Sequence, residues 1–154
     1  MTYADLRKGR LSETGRAYLV TTVTANRVPV FADWHCACLM VRTLCRVQAL
    51  FGVSSFAWVL MPDHFHWLMA PGADASLSLV MQRLKGLSAA GINRWRGASG
   101  PLWQGAFHDH AVRDGEDIRT IARYVVANPL RAGLVTEIGA YSFWDAVWLD
   151  PLAG

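Results

Sequence analysis

The feature that most limits the possible folds is a pair of apolar segments separated by only two residues. Residues 55–61, SFAWVLM, and residues 64–70, HFHWLMA, are joined by Pro62 and Asp63. A connection this short joins antiparallel strands, so the two segments are predicted to form a β-hairpin. Large apolar side chains fall on both faces of the hairpin, which favours a central place in a sheet covered by helices.

The periodicity of apolar residues predicts four strands and three helices in the order β-α-β-β-α-β-α. The strands are expected at 17–24, 55–61, 64–70 and 102–113, and the helices at 33–51, 77–96 and 114–129. Asp33 and Ser76 are predicted to begin the first two helices, Gly52 to end the first, and Pro129 to end the third. This order predicts an α+β protein with a ferredoxin-like split β-α-β fold, a central antiparallel sheet, helices on its faces and an extra C-terminal helix.

A chain of 154 residues is expected to form a single domain over 1–154. We predict a core over about 17–135 and an aromatic tail over 136–154 that packs on it. No stretch approaches the roughly 18 apolar residues that a membrane helix needs, and the N-terminus does not have a signal-peptide pattern. We therefore predict a cytoplasmic protein without a membrane partner.

Three cysteines, Cys36, Cys38 and Cys45, lie in one predicted helix. Their number is odd, and their spacing is not that of a common zinc site. They are interpreted as reduced thiols packed on a buried helix.

Two pairs of histidines stand out, each with one residue between its members. His64 and His66 share one face of a strand because successive side chains alternate. Two imidazoles side by side are half of a metal site, or they are polar residues on a wet sheet face. His108 and His110 form a second such pair, for which a polar strand face is the simpler interpretation.

The last predicted helix offers a phenol and a carboxamide one turn apart, at Tyr124 and Asn128. From the residues alone, Tyr124 is more simply half-buried and Asn128 a helix cap. The core side of this helix is predicted to be Ile118, Ile121, Ala122 and Val125.

The net charge of +3 and pI near 9.0 permit an anionic partner without demanding one. Four basic residues, Arg83, Lys85, Arg94 and Arg96, gather in one segment. Arginine suits phosphate because its planar fork bonds two oxygens at once, although a solvated helix face explains the cluster equally well.

Four motifs occur in order: MPDHFHWLM, LKGLSAAGINR, LWQGAFHDHAVRD and ARYVVANPLRAGLV. Together they resemble the REP-associated tyrosine transposases, IS200-like members of the HUH superfamily of single-strand DNA transposases that use one tyrosine. The resemblance runs from about Tyr18 to Val135. The resemblance is specific because three patterns occur together in one chain. They are H-x-H shortly after Met-Pro, W-Q-x-x-F, and Y-x-x-x-N-P-x-R-A-G-L-V. Asp63 departs from the pattern, because the family often has Asn there.

The resemblance implies a chemistry for the singled-out residues. His64, His66 and Asn128 would hold a divalent metal, Mg²⁺ or Mn²⁺, and Mn²⁺ suits imidazole better. Tyr124 would be the nucleophile, leaving a 5′-phosphotyrosine link and a 3′-OH that can later rejoin a strand without ATP. The partner would be single-stranded DNA carrying REP- or BIME-like hairpins, bound by a monomer or a homodimer.

The candidate DNA contacts are less specific. Trp67, Trp95 and Trp103 are candidates for stacking on bases, although each is more often a core residue. The candidate phosphate contacts are Arg83, Lys85, Arg94, Arg113 and Arg131. Two alternatives stay open: a hairpin-binding module of the same fold without catalysis, and a metal-dependent phosphoesterase that uses water.

Overall fold

The computed structural model describes residues 16–148, in which five strands form one antiparallel sheet. The strands are β1 (Tyr18–Val23), β2 (Ser54–Leu60), β3 (His64–Ala70), β4 (His108–Ala111) and β5 (Trp144–Ala146). The helices are α1 (Trp34–Phe51), α2 (Leu77–Arg96), α3 (Ile118–Val126) and α4 (Asn128–Arg131). Short 3-10 turns lie at Ala25–Arg27, Val30–Ala32 and Ile138–Ala140.

The order of the strands across the sheet is β4-β1-β3-β2-β5. The connection through α1 therefore passes over β3, which pairs with both β1 and β2. This is the split β-α-β arrangement, so the predicted fold class is confirmed. The predicted hairpin is also confirmed, and its second strand, β3, is the central strand of the sheet.

The two faces of β3 differ in what covers them. Phe65, Trp67 and Met69 are buried in a core shared with α1 and α2. His64, His66 and Leu68 alternate with them, and Leu68 is buried against Ala122 and Val125 of α3 in a second core. The period of two along β3 therefore places the histidine pair on the face that α3 covers.

The ends of the first two helices follow their predicted caps. The Asp33 carboxylate accepts a hydrogen bond from the Cys36 amide at 3.0 Å, and the Ser76 hydroxyl accepts one from Leu79 at 3.1 Å. Gly52 ends α1 at φ 59°, a left-handed conformation that glycine adopts without a Cβ penalty.

The predicted fourth strand is shorter than expected, because 102–107 forms no continuous strand. The Gln104 amide donates to the Val23 carbonyl at the end of β1 at 2.8 Å, and Trp103 forms an isolated bridge with Thr24, the next residue. The carbonyl groups of Gln104 and Ala106 instead accept hydrogen bonds from the Lys85 ammonium at 2.7 and 3.2 Å. The segment is therefore bound to α2, and regular pairing begins only at His108.

The third predicted helix is two helices. α3 ends at Val126, and α4 begins at Asn128 with Pro129 in its first turn. Proline lacks an N–H and its ring clashes with the carbonyl four residues earlier, here that of Val125. That carbonyl accepts from the Ala127 amide and the Asn128 side chain. Pro129 thus ends one helix and starts the next.

The tail contains a strand that the sequence did not predict. β5 pairs with β2 on the side away from β3. The Tyr141 hydroxyl donates to the Leu60 carbonyl, and Phe143 packs on the core beneath α1. No helix within residues 16–148 is long and apolar enough to cross a membrane.

The three cysteines lie in α1, as predicted, with free thiols. They are not uniformly buried, however. Cys36 is buried, Cys38 is partly buried and Cys45 is exposed, because the helix contacts the core along one side only.

Candidate metal and nucleophile site

The histidine pair is the centre of the candidate site. The rings of His64 and His66 are 4.9 Å apart between centroids and meet edge to face at 82°. The Nδ1 atom of His64 is bonded to Asp63 at 2.7 Å, and the Nδ1 atom of His66 to Thr21 at 2.7 Å. Neither Nε2 has a hydrogen-bond partner in the described chain. Metal-binding imidazoles commonly have this arrangement, with one nitrogen oriented by a neighbour and the other available.

Asp63 is the residue that orients His64. Its Oδ1 accepts the hydrogen bond from His64, and its Oδ2 accepts one from the Arg27 guanidinium at 3.0 Å. Burial acts to raise the pKa of the Asp63 carboxyl, but the hydrogen bonds and charges of His64 and Arg27 outweigh burial and lower it. The carboxylate is therefore ionised at neutral pH and accepts the hydrogen bond of His64 through Nδ1, which leaves Nε2 turned away from Asp63.

Asp63→Ala is expected to reduce the affinity for Mn²⁺ by about 10- to 100-fold, the usual effect of removing a residue that orients a metal ligand. Asp63→Asn should lose less of the affinity for Mn²⁺, because an amide oxygen can still accept the hydrogen bond from His64 Nδ1. Isothermal titration with Mn²⁺ measures both variants. Equal affinities for Asp63→Ala and the unmodified protein would contradict the orienting role.

His66, like His64, is partly buried. Burial, together with the nearby charges of His64 and Arg131, lowers the pKa of His66 to about 4. At neutral pH the imidazole is therefore uncharged, which is the form that binds metal. Thr21, opposite His66 on β1, supplies the hydrogen bond to Nδ1.

The depressed pKa of His66 predicts how stability depends on pH. Between pH 6.5 and 4 the unfolded chain protonates this imidazole while the folded chain does not, so stability falls as the pH falls through that window. We expect a loss of about 2 kcal/mol in the free energy of unfolding between pH 7 and 4.5. Urea unfolding of the metal-free protein measures it. The free energy of unfolding of His66→Asn should fall less between pH 7 and 4.5. An identical fall in that variant would show that groups other than His66 cause the pH dependence.

Tyr124 projects from α3 and is 62% exposed. The guanidinium of Arg131 lies over its ring, with the Cζ atom 3.8 Å from the ring centroid, and also donates to the Tyr124 carbonyl at 2.7 Å. This is a close cation–π contact. The positive charge of Arg131 also contributes to the lowered pKa of His66. The simpler sequence interpretation, a half-buried tyrosine, is wrong.

Asn128 lies at the junction of α3 and α4 rather than one turn further along a single helix. Its Nδ2 donates to the Val125 carbonyl at 2.8 Å, so the amide does act as a helix cap. The Oδ1 atom has no partner in the part of the chain that the structure describes, and it is the atom that a metal would use. No group of three or more His, Cys, Asp or Glu side chains within 16–148 is arranged to hold a metal. The two imidazoles would therefore need a third ligand of another kind to complete a metal site.

The second histidine pair lies on β4, two strands away from β3. Thr21 pairs with both His66 and His108, so His108 faces the same side of the sheet as His66. His110 is turned to Glu116, with its Nε2 3.2 Å from the carboxylate. Asp109, between them, faces the opposite side.

The candidate DNA contacts differ in their environment. Arg83, Arg94 and Arg113 have exposed side chains. Lys85 is engaged with the carbonyls of 104 and 106, and burial lowers the pKa of its ammonium group. Arg131 is engaged with Tyr124. A DNA role for these five residues stays a prediction.

The three tryptophans that were candidates for stacking on bases differ in how exposed they are. Trp67 and Trp103 are buried, and their indole N–H groups donate to Ser55 and Ser88. Trp95 is 56% exposed and can meet a ligand.

Sequence reasoning missed two residues of the site, Thr21 and Arg27. Thr21 reaches His66 only through the pairing of β1 with β3. Arg27 follows Asn26, and both have positive φ, 52° and 56°, in the turn that brings Arg27 to Asp63. The sequence from Asn26 to Pro29 does predict a turn. Nothing in that turn, however, predicts that Arg27 contacts Asp63.

The fold is that of DNA transposases. A solved structure of a REP-associated tyrosine transposase bound to a REP hairpin superposes with a TM-score of 0.71, at 23% identity, over 85% of this chain and 76% of that one. A Deinococcus radiodurans R1 protein assigned as a transposase superposes with a TM-score of 0.55, at 22% identity, over 79% and 96% of the two chains.

The sequence comparison defines the family. Residues 14–128 match the family described as "Transposase IS200 like", and the chain belongs to that family. A REP-associated tyrosine transposase of Escherichia coli K12 is 30% identical over 90 residues, which are 56% of this chain. The chain spans about half the length of that curated relative, 50%. These findings confirm the resemblance that the four motifs indicated.

Proposed function

We propose that this transposase cleaves and rejoins single-stranded DNA beside REP-type hairpins through a covalent bond to Tyr124. The observation that carries the proposal is the pair of imidazoles on the face covered by the tyrosine-bearing helix, both with Nδ1 oriented and Nε2 available. Hairpin DNA is proposed because similar proteins are REP-associated transposases, one of them bound to a REP hairpin.

The proposed chemistry assigns a role to each side chain. His64 and His66, with the Asn128 amide oxygen, would hold a divalent cation. When bound, that cation supplies Lewis-acid polarisation of the scissile phosphate. Mn²⁺ suits two imidazoles better than Mg²⁺, which prefers oxygen ligands.

The nucleophile is the phenolic oxygen of Tyr124. Its Oη–P bond forms as the P–O3′ bond breaks, the phenolic proton leaves to solvent, and the departing 3′ oxygen takes up a proton. The products are a 5′-phosphotyrosine and a 3′-OH. Attack by a second 3′-OH reverses the step and joins a strand, so no external energy source is needed.

Arg131 holds the tyrosine in this scheme. Its guanidinium packs on the ring and anchors to the backbone of the same residue, and its remaining donors can meet phosphate oxygens. The phenol is thus oriented by contacts that do not engage its hydroxyl.

The test is a covalent-adduct assay. Labelled single-stranded DNA that contains a hairpin from the repeats of the host genome is incubated with the protein and Mn²⁺, then separated on a denaturing gel. A protein-linked DNA band that depends on Tyr124 supports the proposal. The absence of a band with Mn²⁺ and with Mg²⁺, despite hairpin binding, would favour the non-catalytic module.

A further inference from the structure

Exposed aromatic rings lie where α1 begins and α2 ends. Trp34 and Trp95 are 64% and 56% exposed. The His35 ring stacks on Trp95, with centroids 3.7 Å apart and planes 27° from parallel. We name Trp34, His35 and Trp95 the aromatic platform. Indole rings bury large areas when they find a partner, so this surface suits a planar apolar ligand.

Positive charge flanks the aromatic platform. Arg94 and Arg96 lie on either side of Trp95 in the last turn of α2, both exposed, and neither forms an ion pair within residues 16–148. Arg96 acts on the Cys36 thiol in the first turn of α1, so its charge lies beside the platform. The nearby Asp33 carboxylate is turned to the Cys36 amide as a helix cap. Aromatic faces with flanking guanidinium groups match the bases and phosphates of a nucleic acid.

The aromatic platform lies at the same end of the sheet as His64. The Phe31 amide, just before α1, donates to the Pro62 carbonyl at 2.9 Å, in the turn from which His64 follows. Trp34 packs on Phe143, with ring centroids 4.8 Å apart, and the Phe143 carbonyl accepts from Leu60 beside the same turn. A strand held at the histidine pair can therefore continue around this end of the sheet to the platform.

We propose that the aromatic platform binds unpaired bases of single-stranded DNA that continues from the strand held at the histidine pair. This inference rests on the proposed function, since it extends the path of the same substrate. Unpaired bases present their faces to tryptophan, whereas the bases of a duplex stem already stack on each other. The platform therefore distinguishes a hairpin with a single-stranded tail from the same hairpin without one.

Fluorescence anisotropy with three labelled DNAs tests the inference. They are a blunt hairpin, the same hairpin with a mixed-sequence tail of about ten nucleotides, within the range that one single-strand site covers, and an unstructured strand. Trp95→Ala is expected to weaken binding of the tailed hairpin by about 10-fold, the effect of losing one base–aromatic stack. The blunt hairpin should bind equally well, and Trp95→Phe should recover most of the affinity for the tailed hairpin.

Leu50→Ala is the matched control. Leu50 is 62% exposed at the other end of α1, so its loss removes a similar exposed apolar side chain without touching the platform. This variant should bind all three DNAs as the unmodified protein does. Thermal unfolding of each variant shows that the fold is retained.

Two outcomes would overturn the inference. One is an equal effect of Trp95→Ala on the blunt and tailed hairpins, including no effect on either. The other is a dimer in sedimentation that Trp95→Ala dissociates while DNA binding stays unchanged, because a second copy would then occupy the platform. Binding of the unstructured strand tests the platform independently of the proposed cleavage activity. That binding should depend on Trp95 even if no covalent adduct forms with any DNA.

Discussion

Tyr124→Phe is expected to abolish the covalent protein–DNA adduct while leaving hairpin affinity unchanged within about two-fold. The change removes one oxygen atom, and the Arg131 contacts go to the ring face and the backbone carbonyl, which phenylalanine keeps. We expect the rate of strand cleavage to fall by at least about a thousand-fold, as it does when an enzyme loses its nucleophile. Denaturing gels measure cleavage and adduct, and anisotropy measures affinity.

Tyr141→Phe is the control for that experiment. The Tyr141 side chain is half-buried and its hydroxyl donates to the Leu60 carbonyl, so the variant removes a phenol from the same protein at a position outside α3. It should form the adduct normally. Cleavage that persists in Tyr124→Phe would identify water as the nucleophile and make the protein a phosphoesterase, which would sink the tyrosine mechanism.

His64→Ala and His66→Ala are each expected to eliminate both metal binding and adduct formation. Each variant removes one of the two proposed imidazole ligands, so the affinity for Mn²⁺ should fall by more than about 100-fold, beyond the effect of losing a residue that only orients a ligand. Electron paramagnetic resonance of Mn²⁺ reports binding without relying on activity. His66→Ala also removes a partly buried ring, and its folded state should be checked by circular dichroism.

The second histidine pair provides a control on the same sheet. His110→Ala removes an imidazole that is hydrogen-bonded to Glu116, on the edge strand β4. Mn²⁺ affinity should be unchanged in this variant. Normal Mn²⁺ binding by His64→Ala, or a loss in His110→Ala equal to that in His64→Ala, would show that the metal is bound elsewhere.

The elements that the sequence predicted correctly depend on local chemistry. The hairpin follows from the two-residue break at Pro62 and Asp63, and the helix ends follow from Asp33, Gly52 and Ser76. The errors arose where distant groups compete for the backbone. Lys85 of α2 binds the carbonyls of Gln104 and Ala106, in the segment where a longer β4 was expected, and β5 pairs with the outer edge of β2.

In the candidate site, too, the features set by local sequence were predicted and those set by distant contacts were not. The shared face of His64 and His66 follows from the period of two along a strand, and the structure places them there. The partners of their Nδ1 atoms were harder to foresee, because Thr21 is 45 residues away in sequence and reaches His66 through sheet register. The roles of Tyr124, Asn128 and the metal came from the family resemblance and stay proposals until the variants are measured.

The lengths of β4 and β5 limit how two copies of this protein can associate. They are the outermost strands in the described residues and contain four and three residues, so each outer edge offers few unpaired amide and carbonyl groups. Joining two sheets edge to edge would gain little backbone hydrogen bonding, which also guards against uncontrolled polymerisation. A homodimer of this chain would therefore have to depend on side-chain packing, and its stability would respond to surface substitutions rather than to strand register.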